Sequence, residues 1–288
     1  MSERNAIIMA AGMSTRFVPL SVEMPKALIR VRGEVLIERQ IKQLKAAGIS
    51  EIVVVTGYLK EQFDYLSKHY GVILIENPVY QVRNNHSTLF AAKKYLRDTF
   101  ICSGDNYFTK NVFMEKSSLA YYAAVYEDGD TDEWCLTTDE EGKIQDVVIG
   151  GRDSWVMKGH AYFTAGFSEK FIPFLEKAYR DPRCANQFWE EIYMDHIYEL
   201  ELYVHRYENR IIEEFDSIEE LRVFDEIYKD QSGSRILRRI SQMLECKESE
   251  LKEIRPVKEQ GKVIGCSFWC RMHRYIYHFE TGLLKIEG

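Results

Sequence analysis

The sequence predicts an α/β fold: a Rossmann-like, mixed but mainly parallel sheet flanked by helices, followed by a small α+β appendage. Two observations carry this. The runs "NAIIMA", "EIVVVTG", "GVILIEN" and "TFICSGDN" are apolar almost throughout and alternate with amphipathic helical patterns. A strand covered on both faces has no side to give to water, so such runs belong to a buried parallel sheet. Helix stops also fall where the pattern needs them. Gly48 closes an expected helix over Val35–Ala47, and Gly71 closes one over Lys60–His69. Glycine reaches the left-handed conformation that ends a helix at little steric cost. A third helix is expected near Ser87–Leu96.

The second part of the chain reads differently. "AYYAAVYE", "EWCLTT", "KIQDVVIGG" and "GHAYFTAGF" are shorter and separated by turn chemistry such as "DEEGK", which predicts mixed or antiparallel strands. Helices follow near Glu169–Tyr179 and Asn186–Glu199, then a strand near Leu202–Tyr207 and a helix near Ile218–Tyr228. The polar stretch "KDQSGSR" at 229–235 is the expected boundary between a 1–229 domain and a 230–288 appendage made of a short helix and a hairpin-like tail.

Composition narrows the function classes. At 288 residues, 45% hydrophobic and 29% charged, the chain can bury a sizeable core. A net charge of −7 argues against nonspecific nucleic-acid binding and against a polybasic membrane surface. No apolar run approaches a transmembrane length, and "MSERNAIIMAAG" reads as a first strand and not as a signal peptide. Six scattered cysteines without CxxC spacing read as reduced thiols of a cytoplasmic protein.

In parallel sheets ligands bind off the carboxyl ends of the strands. Gly12, Gly57 and the Gly104-Asp105 pair all stand at such ends and point to one crevice. In "GMSTRF", Gly12 permits close backbone approach, Ser14 and Thr15 supply hydroxyls, and Arg16 can grip phosphate oxygens in pairs. Lys26 follows ten residues later in "MPKAL", where Pro25 stiffens the chain. Amides that spread charge, with mobile cations beside them, suit a nucleoside triphosphate. The loop is neither a P-loop nor a dinucleotide fingerprint, and a plain tight turn is the competing reading. Asp105 can hold magnesium, which keeps few protein ligands, or can serve a turn. Asp216 in "EEFDS" is either a second metal ligand or the N-cap of a helix from Ser217. Asn84, Asn85 and Thr88 in "NNHSTL" can meet a pyrimidine edge, or the stretch is a loop before a helix capped at Ser87. Trp134, Phe188 and Trp189 are interleaved with the acids Glu133, Glu190 and Asp195. Such aromatics fill a core, or they hold a quaternary ammonium, which is recognised by aromatic faces and carboxylates.

"MAAGMSTRFVPLSVEMPKAL" resembles the signature loop of nucleotidyltransferases that join a sugar phosphate or an alcohol phosphate to a nucleoside triphosphate. Across roughly residues 4–229, "TGYLKEQFDYL", "NNHSTL", "SGDNYFTKNVF", "YEDGDTDEWCL", "FWEEIYMDHIYEL" and "IIEEFDSIEELR" resemble bacterial CTP:phosphocholine cytidylyltransferases in order and spacing. The resemblance implies a nucleotide-diphospho-sugar transferase type of fold, CTP and phosphocholine as substrates, and Mg2+ as cofactor. It implies nucleotide contacts from Ala10, Ala11, Gly12, Met13, Ser14, Thr15, Arg16 and Lys26, with Gly57, Tyr58, Asn84, Asn85, Thr88, Gly104 and Asp105. It places metal on Asp105 and Asp216, gives Lys26 and Arg16 the transition-state charge, and matches Trp134 and Trp189 to a choline cage, beside which Phe188, Glu133, Glu190 and Asp195 stand as phosphocholine candidates. The chain departs from the family pattern at Ser14, where a second glycine is usual.

The tail, "ILRRISQMLECKESELKEIRPV" and then "VIGCSFWCRMHRYIYHFETG", resembles the start of a choline kinase-like domain, a helix followed by the first strands of its small lobe. His278 stands where that family typically has an arginine, and no catalytic loop follows, so no kinase activity is expected. His273 and His278 read as strand or surface residues. Two other functions remain open: transfer to another phosphate acceptor, such as phosphoethanolamine, a phosphonate or a sugar 1-phosphate, and nucleotide binding without turnover. Neither nucleic acid nor membrane insertion is expected, and oligomeric state is not legible.

Overall fold

Four neighbouring strands run parallel in the computed structural model, which describes residues 4–287. Asn5–Ala10 pairs with both Ile52–Thr56 and Thr99–Ser103, and Ile52–Thr56 pairs in turn with Ile73–Glu76. Consecutive residues Ile7 and Ile8, and Val53 to Val55, are all fully buried, so both sheet faces are covered. Each such side chain stabilises the fold by about 1.5–3 kcal/mol. The sheet has seven strands, and Ile144–Phe163, Tyr121–Thr138 and Tyr203–Tyr207 extend it beyond Thr99–Ser103. Ile144–Phe163 is antiparallel to both of its neighbours, while Tyr203–Tyr207 runs parallel to Tyr121–Thr138. The predicted fold class is therefore observed.

The four short strands expected between 120 and 167 are two long ones. Asp128-Gly129 and Gly150-Gly151 look like turn chemistry, but Gly129 and Gly150 (φ +83° and +80°) lie inside a continuous ladder whose register shifts between Glu127 and Asp130 and again between Thr131 and Trp134. Glycine there permits bulges without ending the strand. The true turn is "DEEGK", where the Asp139 carboxylate accepts the N–H groups of Glu141 and Lys143.

Helices begin and end near their sequence signals. Leu36–Ala46 buries Leu36, Ile37, Gln40, Ile41 and Leu44, a helical stripe. Gly71 (φ +63°) ends Asp64–Tyr70. Asn85–Ala91 is capped by Asn84, whose side chain accepts from Asn85 N–H, and Ser87 is buried within that helix. Ala165–Arg180 is longer than expected, whereas Trp189–Asp195 is shorter.

The chain forms two compact units, and their division differs from the expected boundary. One comprises residues up to Gly12 together with Leu36–Glu214; the other joins Met13–Val35 to residues from Phe215 onward. The seven-stranded sheet belongs wholly to the first. In the second, Leu251–Glu259, Lys262–Cys270, His273–His278 and Leu284–Ile286 form an antiparallel sheet in that order. The polar stretch 229–235 is not a solvated linker there. Ser232 and Ser234 are buried, the Ser234 hydroxyl caps the helix Arg235–Leu244, and Ser232 N–H donates to the Glu248 carboxylate. The carboxylate of Glu23 accepts from Ser234 Oγ and from Arg235 N–H (2.9 Å), Asp225 Oδ2 accepts from Arg32 N–H (2.6 Å), and Tyr228 Oη donates to the Arg30 carbonyl. These bonds hold 13–35 against the C-terminal segment, which is why the two form one unit. No helix among the described residues is long and apolar enough to cross a membrane.

Candidate active site

Three carboxyl-terminal strand ends in the first unit stand side by side, as the alternation of strand and helix requires. Gly104 N–H donates to the Met9 carbonyl (2.9 Å), and Tyr58 N–H donates to the Ala11 carbonyl (3.0 Å). Ala10 and Ala11 are buried and Gly12 is exposed at the end of the first strand. Gly57 is needed by the fold itself: a Cβ there would lie 2.8 Å from Tyr80 Cγ and 2.9 Å from the Ala11 carbonyl oxygen. Half-buried Asp105 occupies the turn after Thr99–Ser103.

In the second unit the exposed Met13 leads into Ser14, whose backbone is left-handed (φ +46°, ψ +50°). That conformation explains why glycine suits the position, and serine holds it at a cost of about 1–2 kcal/mol. Thr15 then opens a short 3-10 turn, Thr15–Phe17. The Arg16 side chain, 76% exposed, places Nη1 3.0 Å from Asp216 Oδ2. Lys26 is only 5% exposed; its Nζ lies 3.6 Å from Asp216 Oδ1 and 5.7 Å from the centroid of the Phe17 ring. Both cations thus converge on one carboxylate 190 to 200 positions away in sequence. The competing cap reading of Asp216 fails, because Ser217 Oγ accepts Glu220 N–H while Glu220 Oε2 accepts Asp216 N–H.

The aromatic and acidic candidates gather in the first unit. Trp134 and Phe188 meet edge to face (5.7 Å), with Phe188 40% exposed. Trp189 is instead a core residue, 1% exposed, against Tyr122, Phe163 and Phe171. Glu190 is buried beside it, whereas Glu133 and Asp195 are exposed and Asp195 accepts from Gln187 Nε2. In "NNHSTL" the polar groups are already engaged. Asn84 Nδ2 donates to the Asn186 carbonyl and Asn84 Oδ1 accepts Asn85 N–H. Asn85 Oδ1 accepts Trp189 N–H, Asn85 Nδ2 donates to Glu190, and buried Thr88 Oγ1 accepts from Asn77. These side chains are tied into the fold, with Asn84 and Asn85 half-buried and Thr88 buried.

A MobA-like NTP transferase domain matches residues 6–189. The chain belongs to that family. It is an enzyme, a nucleotidyltransferase. It is similar to the choline-phosphate cytidylyltransferase of Streptococcus pneumoniae, 37% identical over 79% of this chain and 99% of that protein. It is also similar to a 2-aminoethylphosphonate cytidylyltransferase of Lancefieldella rimae, 40% identical over 78% of this chain and 93% of the relative. A solved structure of a CTP:phosphocholine cytidylyltransferase from Streptococcus pneumoniae superposes with a TM-score of 0.75 at 38% identity, covering 78% of this chain and 99% of that one.

Two residues that brace the segments carrying Asp105 and Lys26 have no motif of their own. Gln40 Nε2 donates to the carbonyls of Ser103 (2.8 Å) and Asn106 (2.9 Å), clamping the turn that carries Asp105 from both sides. Its only sequence signal is an amide on the apolar stripe of the helix Leu36–Ala46. Glu23 ties the Lys26 segment to Ser234 and Arg235 and has no local signal at all. Gly57→Ala in the transferase should cost about 1–3 kcal/mol of stability, since the Ala11 backbone cannot yield to a new methyl group. It should also weaken nucleoside triphosphate binding. Thermal unfolding and calorimetric titration measure both, and an unchanged Tm would refute the close approach.

Proposed function

We propose that the chain joins CTP and phosphocholine to give CDP-choline and pyrophosphate. The observation that carries the acceptor is a buried carboxylate, Glu190, two residues after the exposed Phe188, whose ring meets the half-buried Trp134. Aromatic faces attract a quaternary ammonium by about 0.5–2 kcal/mol each, and a carboxylate adds charge. Sugar phosphates would call for amides and hydroxyls instead.

A phosphate oxygen of phosphocholine attacks the α-phosphorus of CTP in line, the bond to the β,γ-diphosphate breaks, and pyrophosphate leaves with that electron pair. The attacking phosphate is already a competent nucleophile, so alignment and charge neutralisation supply the acceleration. Lys26 neutralises charge developing at the α-phosphate or on the acceptor phosphate, and Arg16 steadies the departing diphosphate. Magnesium is the proposed cofactor, and Asp105 and Asp216, each taken by itself, are its candidate ligands. The donors fit: both are hard carboxylate oxygens, and Asp216 keeps 34% of its side chain exposed. When bound, the ion would supply further charge neutralisation of phosphate oxygens. The nucleotide contacts of the strand-end loops would come from the backbone of Ala10 to Ser14 and of Gly57, Tyr58 and Gly104. Six free thiols support a reducing, cytoplasmic setting.

The second reading, transfer to 2-aminoethylphosphonate, is favoured by the Lancefieldella rimae relative. Pyrophosphate release with CTP and Mg2+ decides between them across phosphocholine, phosphoethanolamine, 2-aminoethylphosphonate and glucose 1-phosphate. Phosphocholine should give the highest kcat/KM; preference for a primary amine would overturn the choline reading, and no release with any acceptor would overturn transfer. Residues 230–288 are proposed to resemble the edge of a choline kinase-like small lobe.

A further inference from the structure

Glu190 is 9% exposed, and its two oxygens are divided between two donors. Oε2 accepts from Asn85 Nδ2 at 3.0 Å and Oε1 from Tyr122 Oη at 3.3 Å. Asn85 Oδ1 meanwhile accepts Trp189 N–H at 2.8 Å, and the Tyr122 ring stacks on Trp189 (5.7 Å, 19°). The neighbours of Asn85 brace the same segment: Asn84 N–H donates to the Ala185 carbonyl, and His86 Nδ1 pairs with the Gln187 carbonyl at 2.7 Å. Both ends of the Asn85 amide are thus engaged by residues 189 and 190, which ties this side chain to the segment that carries Glu190.

We infer that Asn85 and Tyr122 are positioning residues of the acceptor site, holding the Glu190 carboxylate to receive the cationic head of the acceptor. This rests on the proposed function. A carboxylate taken out of water is costly unless donors and a cation compensate it, and here the donors are fixed before the acceptor arrives. Burial pushes the Glu190 carboxyl up to about 7, while the bonds from Asn85 and Tyr122 pull it back down. Glu191 adds a small upward push, and the Glu214 charge helps to hold the Tyr122 hydroxyl in its protonated form. The sign follows. Above about pH 7 Glu190 is charged and grips a cation; below it the group is neutral and the grip is lost. Acceptor KM therefore rises as pH falls through this range, while the KM for CTP stays level. A bound cation moves the ionisation to lower pH, and loss of either donor moves it to higher pH.

The test titrates the side-chain carboxyl carbons of 13C-glutamate-labelled full-length protein by NMR, with Glu190 assigned from Glu190→Gln. Phosphocholine should move the Glu190 inflection down, and both Asn85→Ala and Tyr122→Phe should move it up. In steady-state assays the two variants should raise acceptor KM about tenfold, the scale of a lost hydrogen bond to a charged group, without raising the KM for CTP. Tyr122→Phe removes only a hydroxyl and keeps the test open if Asn85→Ala folds poorly. A raised CTP KM in Asn85→Ala, with acceptor KM and the Glu190 inflection unmoved, would overturn the inference. The titration needs no turnover, so it separates the two ideas. If phosphocholine is not a substrate, the proposed function fails; the positioning role fails as well if neither phosphocholine nor 2-aminoethylphosphonate shifts Glu190.

Discussion

Lys26→Ala is expected to lower turnover at least about 100-fold, the scale on which loss of one preorganised oxyanion donor acts. The side chain is held in place before any substrate arrives. Its stem is buried, its ammonium lies over the Phe17 ring, and Asp216 faces it at 3.6 Å. An ammonium held with little surrounding water interacts strongly with phosphate charge and needs no reorganisation during the reaction. Because the stem also fills space, Lys26→Met is the better-matched variant, keeping its bulk and removing only the charge. Both variants should show the same loss in kcat, with wild-type thermal stability retained in the methionine form. Turnover within a few-fold of wild type in Lys26→Met would remove Lys26 from the chemistry.

Asp216→Asn is expected to reduce kcat by a similar factor and to raise the Mg2+ concentration giving half-maximal rate. Asparagine keeps the shape and one oxygen but removes the charge that a divalent ion requires. The loss of several kcal/mol of charge stabilisation corresponds to at least about two decades in rate. Asp105→Asn should behave alike if it is also a ligand. Asp216 has a second role that the same measurements separate: it also pairs with Arg16 at 3.0 Å. Arg16→Ala removes that pair and leaves the carboxylate, so a purely structural role of Asp216 would make the two variants alike in Mg2+ dependence. A Mg2+ titration of Asp216→Asn that overlays the wild type would end the metal assignment.

Local signals were enough for much of this molecule. The glycine that stops a helix, the turn in "DEEGK" and the strands with no polar face all act within a few residues, and each appears where the sequence indicates. Misreadings arose where one residue type serves two ends. Glycines at 129 and 150 make bulges as readily as turns. The serines of "KDQSGSR" cap and brace as readily as they mark a linker. Adjacent aromatics such as Phe188 and Trp189 diverge, one exposed and one in the core, because the helix beginning at Trp189 turns them to different sides.

The sequence by itself determined the alternation of strands and helices in the first hundred residues, the buried parallel sheet and the placing of the Gly12 loop at a strand end, since these depend on periodicity and on backbone preferences within short windows. Only the tertiary structure decided that Asp216 meets Arg16 and Lys26, that Asn85 serves Glu190, and that residues 13–35 share a unit with the C-terminal segment. Those pairings join segments about a hundred or two hundred residues apart. Their geometry is set by how the chain returns through the folded unit, which no short window of side chains encodes.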